Sequence, residues 1–173
     1  MIKRKICLLG APGVGKTSLV ARFVKSVFSE KYQATVGAKV DKKTVQVGGE
    51  DVQLVIWDMA GDSAERLSHS PYLRGAAGHL IVADGTQPES MEEAHRVVQE
   101  VTAHYGPLPL VYLVNKNDLV NLWRVTPVDV TRLGGEQGKV FVTSAKTGEG
   151  VEQAFVTLAE KMAAAAAANP KSE

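Results

Sequence analysis

The sequence predicts an α/β fold: a six-stranded, mostly parallel sheet with one antiparallel edge strand and about five helices on its two faces. Three observations carry this. Short apolar, β-rich runs alternate with helical-period runs along nearly the whole chain, the pattern of parallel strands joined by crossover helices. Gly10-Ala11-Pro12-Gly13-Val14-Gly15-Lys16-Thr17 fits G-x-x-x-x-G-K-[ST], and it lies between an apolar segment and an amphipathic one, the strand–loop–helix setting of a phosphate loop. One pair of β-rich runs is joined only by Gly48-Gly49-Glu50-Asp51, a hairpin turn.

Taken in order, Ile6-Cys7-Leu8-Leu9 reads as a buried strand and residues 15–27 as the first helix. Residues 28–37 are polar and without steady period, so a loop is expected. Residues 39–47 alternate polar and apolar, as an edge strand does, and 52–57 turn continuously apolar, as a central strand does. Residues 58–74 read as irregular or weakly helical, and 78–84 as another buried strand. Residues 88–105 form a helix whose start carries Glu89, Glu92 and Glu93, which suits the helix dipole. A strand at 110–114 follows. Thr126-Pro127 then opens a short helix, Thr as cap and Pro in the first turn, fading at Gly134-Gly135. Residues 139–143 give the last strand and 150–167 the last helix, which Asn169-Pro170 ends. No repeat and no linker interrupts the chain. One domain over 1–168 is expected, with 169–173 a frayed tail.

A chain of 173 residues suits one domain with a real core. Hydrophobic residues make up 45% and charged residues 23%, the balance of a soluble globular protein. Lys and Arg number 20 against 19 acidic residues, a formal charge of +1 that argues against a nucleic-acid binder working by bulk electrostatics. No apolar run approaches the roughly 18 residues a membrane span needs. Cys7 is the single cysteine and lies in a strand, so no internal disulfide is expected. With no cysteine near the C-terminus and no Gly after Met1, neither prenylation nor myristoylation is expected. The expectation is a cytoplasmic monomer with no direct membrane anchor.

Ligands of such sheets bind at the carboxyl ends of the strands, so the loops there should carry the chemistry. In the first, glycines let backbone N–H groups wrap an anion, Lys16 can reach outer phosphates, and the Thr17 hydroxyl can ligate Mg²⁺. In the second, Asp58-Met59-Ala60-Gly61 is a D-x-x-G whose carboxylate can hold Mg²⁺ through water and whose glycine can offer N–H to a terminal phosphate. The third holds Asn115-Lys116-Asn117-Asp118, an N-K-x-D, and the fourth Ser144-Ala145-Lys146.

With these four loops in this order, the chain resembles the Ras/Rab-type small GTPases over nearly its whole length, as a prokaryotic-type member of that P-loop G-domain family without a lipid anchor. Trp57 and Tyr72-Leu73-Arg74-Gly75-Ala76 are more Rab-like than Ras-like. The resemblance implies GTP or GDP as ligand and Mg²⁺ as cofactor. It places Gly13, Val14, Gly15, Lys16, Thr17 and Ser18 around the phosphates, Phe28 against the guanine ring, and Thr35 on Mg²⁺ and the γ-phosphate. Asp58 and Gly61 would open the second switch. Asn115, Lys116 and Asp118 would read guanine, the Asp118 carboxylate accepting two N–H groups, while Ser144, Ala145 and Lys146 complete the base site through the Ala145 N–H. Adenine reverses donor and acceptor at that edge and would be rejected.

Two departures bear on hydrolysis. Asp62 stands where the family has its water-positioning glutamine, and a short anionic side chain beside a γ-phosphate is repelled. Pro12 fills space through which a glutamine or an arginine finger would approach. Glu65 and Arg66 are candidate substitutes for the missing amide, the alternative being solvated switch residues, and Arg22, Arg66 and Arg74 are candidates for an internal finger against surface or salt-bridge roles. The reading that follows is a switch hydrolysing GTP slowly on its own, Lys16, Thr35, Gly61 and Asp62 being its catalytic set. The resemblance implies an effector on the switch loops, an exchange factor and an activating protein. The alternative is a non-hydrolysing guanine-nucleotide scaffold. A P-loop kinase fares poorly, because no segment is left over for a lid.

Overall fold

The computed structural model describes residues 1–135 and 138–170. Six strands form one sheet: β1 (Ile2–Leu9), β2 (Ala38–Val47), β3 (Glu50–Met59), β4 (Gly78–Asp84), β5 (Leu110–Asn115) and β6 (Lys139–Val142). Among the described residues five α-helices pack on it: α1 (Lys16–Lys25), α2 (Ala64–Ser68), α3 (Glu89–Tyr105), α4 (Pro127–Gly134) and α5 (Val151–Ala168), with a 3₁₀ turn at Pro71–Leu73. The strand order is β2-β3-β1-β4-β5-β6, parallel throughout except for the β2–β3 pair. The expected α/β sheet with one antiparallel edge strand is the fold observed.

Several boundaries differ from expectation. β1 starts at Ile2, four residues early, because Ile2 to Lys5 pair with β3 from Val52 to Val55. On its other side β1 meets β4 only from Ile6 onward. Its first half is therefore flanked by one strand alone. Glu50 and Asp51, expected in the turn, join the ladder, which leaves a two-residue turn. Gly48 and Gly49 have φ of +58° and +83°, the left-handed pair that a tight hairpin of this twist requires. α1 ends at Lys25, short of residue 27, where Ser26 turns left-handed (φ +56°) and its N–H caps the Arg22 carbonyl.

The two faces of the sheet bury separate cores. On one side Ile6, Leu8, Leu54 and Ile56 pack under α1 and α5, whose Phe23 and Phe155 rings stack at 4.0 Å between centroids. On the other, Cys7, Leu9, Ile81 and Ala83 pack under α2, α3 and α4. α2 is only five residues long and leans on α3. The Glu93 carboxylate accepts the Ala64 N–H at 2.8 Å, and the Tyr105 hydroxyl donates to the Ser70 carbonyl at 2.9 Å. α4 begins with the expected Thr126 cap, closed into a capping box by Asp129, whose carboxyl these Thr126 bonds hold below the ordinary range. Of the expected frayed tail, residues 171–173 lie outside the described residues. No helix among the described residues is long and apolar enough to cross a membrane.

Candidate functional site

All four motif loops open at the carboxyl ends of β1, β3, β5 and β6, and with the loop after α1 they enclose a cavity of about 580 Å³. One end of it is built from the loop between β1 and α1. Gly13 and Gly15 hold φ of +77° and +103°, and a Cβ on Gly15 would overlap the Asn115 amide. Lys16 is 5% exposed. Its ammonium donates to the Gly10 and Ala11 carbonyls at 3.0 and 2.8 Å, within its own loop. Burial brings its pKa down to about 8, with Asp58 pulling the other way.

Beside Lys16 three oxygens meet from three separate elements. Thr17, at the start of α1, donates from Oγ1 to Asp58 Oδ2 at 2.6 Å, and its hydroxyl meets that of Thr35 at 2.6 Å. The other Asp58 oxygen, Oδ1, is buried and has no partner among the described residues. Burial holds the Asp58 carboxyl above the ordinary range, against the Thr17 hydrogen bond and the nearby Lys16 and Lys39.

The opposite end is braced by Asn115, which ends β5. Its amide donates to the Val14 carbonyl at 3.1 Å, while Oδ1 accepts from Thr143 Oγ1 at 3.1 Å and from the Ala145 N–H at 3.3 Å. Val14 thus faces the core with its side chain and the site with its backbone. Lys116 has φ of +75°, and its ammonium reaches the Gly13 carbonyl at 2.7 Å and Asp84 Oδ2 at 2.9 Å. Asp118 Oδ1 accepts from Ser144 Oγ at 2.8 Å. Phe28 is half-buried along the cavity wall, and Lys146 pairs with Glu30 at 3.1 Å across the opening. Ser18 and Gly61 line the cavity too.

A model of the Ras family matches residues 5–164. Ras-related protein RABF2b of Arabidopsis thaliana is 39% identical over 93% of this chain and 82% of its own length. Ras-related protein Rab5 of Nicotiana tabacum is 38% identical over the same shares, and Ras-related protein Rab-22A of the dog is 37% identical over 97% and 87%. This chain belongs to the Ras family. It is a small monomeric GTPase, a GTP-binding switch, and its relatives favour that reading over a non-hydrolysing scaffold.

Within this Ras-family chain Lys16, Thr35 and Gly61 of the expected catalytic set line the cavity, as does Pro12, whereas the residues weighed for positioning water do not. Asp62, Glu65, Arg66 and Arg74 are absent from its described lining. Asp62 instead accepts the Ser63 N–H at 2.8 Å, just ahead of α2. Gly61 backs directly onto Pro12, and a Cβ on it would overlap the Pro12 backbone. Arg22, a finger candidate on sequence, is committed elsewhere. Its Nε donates to the Ala145 carbonyl at 2.7 Å and its terminal nitrogen to the Lys146 carbonyl, so it holds the base loop from below. That bracing role was missed, because donor and acceptor stand 123 residues apart. Asp84 was missed as well, although a carboxylate ending an apolar strand is a readable signal.

Proposed function

We propose that the cavity binds guanine nucleotide together with Mg²⁺ and that a terminal phosphate closes both switch loops. The observation that carries this is the meeting of Thr17, Thr35 and Asp58 beside the buried Lys16. Two hydroxyls and a carboxylate with one buried oxygen unpartnered form a donor set that fits a hard divalent cation. Thr17 and Thr35 would ligate it directly and Asp58 through water. Once bound, Mg²⁺ offsets negative charge on the outer phosphates.

The remaining roles fall to the chain. Lys16 exchanges its two carbonyl partners for phosphate oxygens, and the backbone from Gly13 to Ser18 supplies N–H groups at the positive end of α1. The Gly61 N–H takes a terminal phosphate oxygen. Asp118 accepts two N–H groups from guanine, the Ala145 N–H turns from Asn115 to the guanine carbonyl, and Phe28 and Lys146 cover the ring. Asn115, Lys116 and Ser144 hold these groups in place. Asp62 positions water poorly, so turnover without a partner is slow. The domain spans 1–168 and acts in the cytoplasm. The switch loops recruit an effector, and an exchange factor and an activating protein set the cycle.

The test is the nucleotide that co-purifies, identified by mass, followed by binding of GTP, GDP and ATP with and without Mg²⁺. Guanine nucleotides should bind in strong preference, and tightest with Mg²⁺. Equal binding of ATP and GTP would remove the reading of Asn115 to Asp118.

A further inference from the structure

Away from the cavity, two imidazoles meet at the surface where α2 leans on α3. His69 caps the end of α2, and His104 stands in the last turn of α3. Their ring centroids are 5.1 Å apart, with the planes tilted by 47°. Both residues are exposed, so the pair is open to small solutes. Other groups already tie the two segments together, the Glu93 carboxylate on the Ala64 N–H and the Tyr105 hydroxyl on the Ser70 carbonyl. Joining the helices therefore does not explain the histidines.

The tautomer of His69 is set by its neighbours. Its Nδ1 lies 2.7 Å from the Glu65 carbonyl, which can only accept, so Nδ1 carries the hydrogen. Ser68 Oγ is 3.2 Å from the same nitrogen, and it accepts too, having given its own proton to the Glu65 carbonyl at 2.7 Å. In the neutral ring the lone pair is then left on Nε2. An imidazole whose second nitrogen donates to a main-chain carbonyl is the arrangement that fixes and orients a metal-ligating histidine. His104 meets the Tyr105 ring edge-on at 4.8 Å, and it has no hydrogen bond or ion pair among the described residues.

We propose that His69 and His104 together bind a late first-row divalent ion of the Zn²⁺ class, which clips α2 to α3. Metal–nitrogen bonds of about 2.0 to 2.1 Å meeting at a tetrahedral angle hold two ligating rings about 5 Å apart between centres. The observed spacing matches that without movement of either helix. No third histidine, cysteine or carboxylate completes a ligand group among the described residues, so water fills the other positions and the ion exchanges freely. Two neutral imidazoles select such an ion over Mg²⁺ or Ca²⁺, which take oxygen. Thr17, Thr35 and Asp58 offer oxygen alone, so the two sites draw on different ions. Because α2 is only five residues long, an ion held from both sides restrains its local opening.

The full chain, loaded with GDP in excess Mg²⁺, is titrated with Zn²⁺ alone and followed by calorimetry and by the nitrogen chemical shifts of its imidazoles. One ion per chain is expected, shifting Nε2 of His69 and one nitrogen of His104 while His79 and His95 stay unchanged. His69→Gln and His104→Gln should each weaken binding about tenfold or more, at least the cost of losing an outer-shell partner. The double variant should be little worse than either, since one loss already breaks the chelate. His104→Cys puts a ligand back and should recover binding, and His95→Gln should bind as the wild type does. Zn²⁺ should slow hydrogen exchange at residues 64–68 in the wild type and not in the glutamine variants. Equal binding by the wild type and His69→Gln, an equal loss in His95→Gln, or binding that leaves exchange at 64–68 unchanged would overturn the proposal and reduce the pair to a plain ring contact.

Discussion

In the proposed site the choice of base rests on one carboxylate, Asp118, which accepts the Ser144 hydroxyl at 2.8 Å. Asp118→Asn replaces an acceptor pair by one acceptor and one donor, so the guanine edge loses a charge-assisted bond and meets a like donor. GTP and GDP affinity should fall by about 10² to 10³, and xanthine nucleotides, which offer an oxygen at that place, should gain. Competition binding of GDP and XDP to the two proteins checks this. The proposal of slow hydrolysis rests on Asp62 and Pro12. Because Pro12 lies against Gly61 and Asp62 is occupied with the Ser63 N–H, Asp62→Gln should raise single-turnover hydrolysis several-fold, and Pro12→Gly with Asp62→Gln should exceed either alone. A wild type faster than Asp62→Gln would show a working water-positioning scheme that uses Asp62 itself. Residues carried by short motifs, such as Lys16, Thr17 and Asp118, could be placed together at the cavity from sequence because neighbours in sequence share one loop. Arg22 and Asp84 could not, since what they hold comes from other loops.

The loop between α1 and β2 is the element whose state matters most. It is largely exposed, and Thr35 meets the hydroxyl at the start of α1. Thr35→Ala should leave GDP affinity nearly unchanged while keeping residues 28–37 mobile with GTP analogue bound. Hydrogen exchange in both nucleotide states measures this, and equal protection of that loop in the two states of the wild type would rule out a phosphate-dependent switch. Most elements were legible in type, because the apolar runs of β4 and β5, the acidic first turn of α3 and the capped start of α4 are strong local signals. The start of β1 was not. Lys3 and Lys5 face an open surface, so the charge that disguised the strand is what its exposure allows. α2 is too short to show a period, and its place comes from Glu93 and Tyr105 on α3.

For the molecule as a whole, His79 makes stability depend on pH. It lies in β4, 4% exposed, and neither ring nitrogen has a partner among the described residues. Burial, helped by Lys5, lowers its pKa from 6.5 to about 4. The unfolded chain therefore binds a proton that the folded chain refuses between those values, so stability is lost as pH falls through that window. From pH 7 to pH 5 the loss should be about 2 kcal/mol by urea unfolding, and His79→Leu should flatten the slope. An unchanged slope in that variant would assign the acid sensitivity to other groups. A different whole-molecule property follows from the Asn115 side chain, which grips Val14 on one side and Ala145 and Thr143 on the other. A single planar amide spans the two ends of the cavity, so neither end can settle without informing the other. Guanosine and inorganic diphosphate, offered as two unlinked molecules, should each ease the entry of the other by the same factor. The protein would then treat a nucleotide as one object even where no covalent bond makes it one.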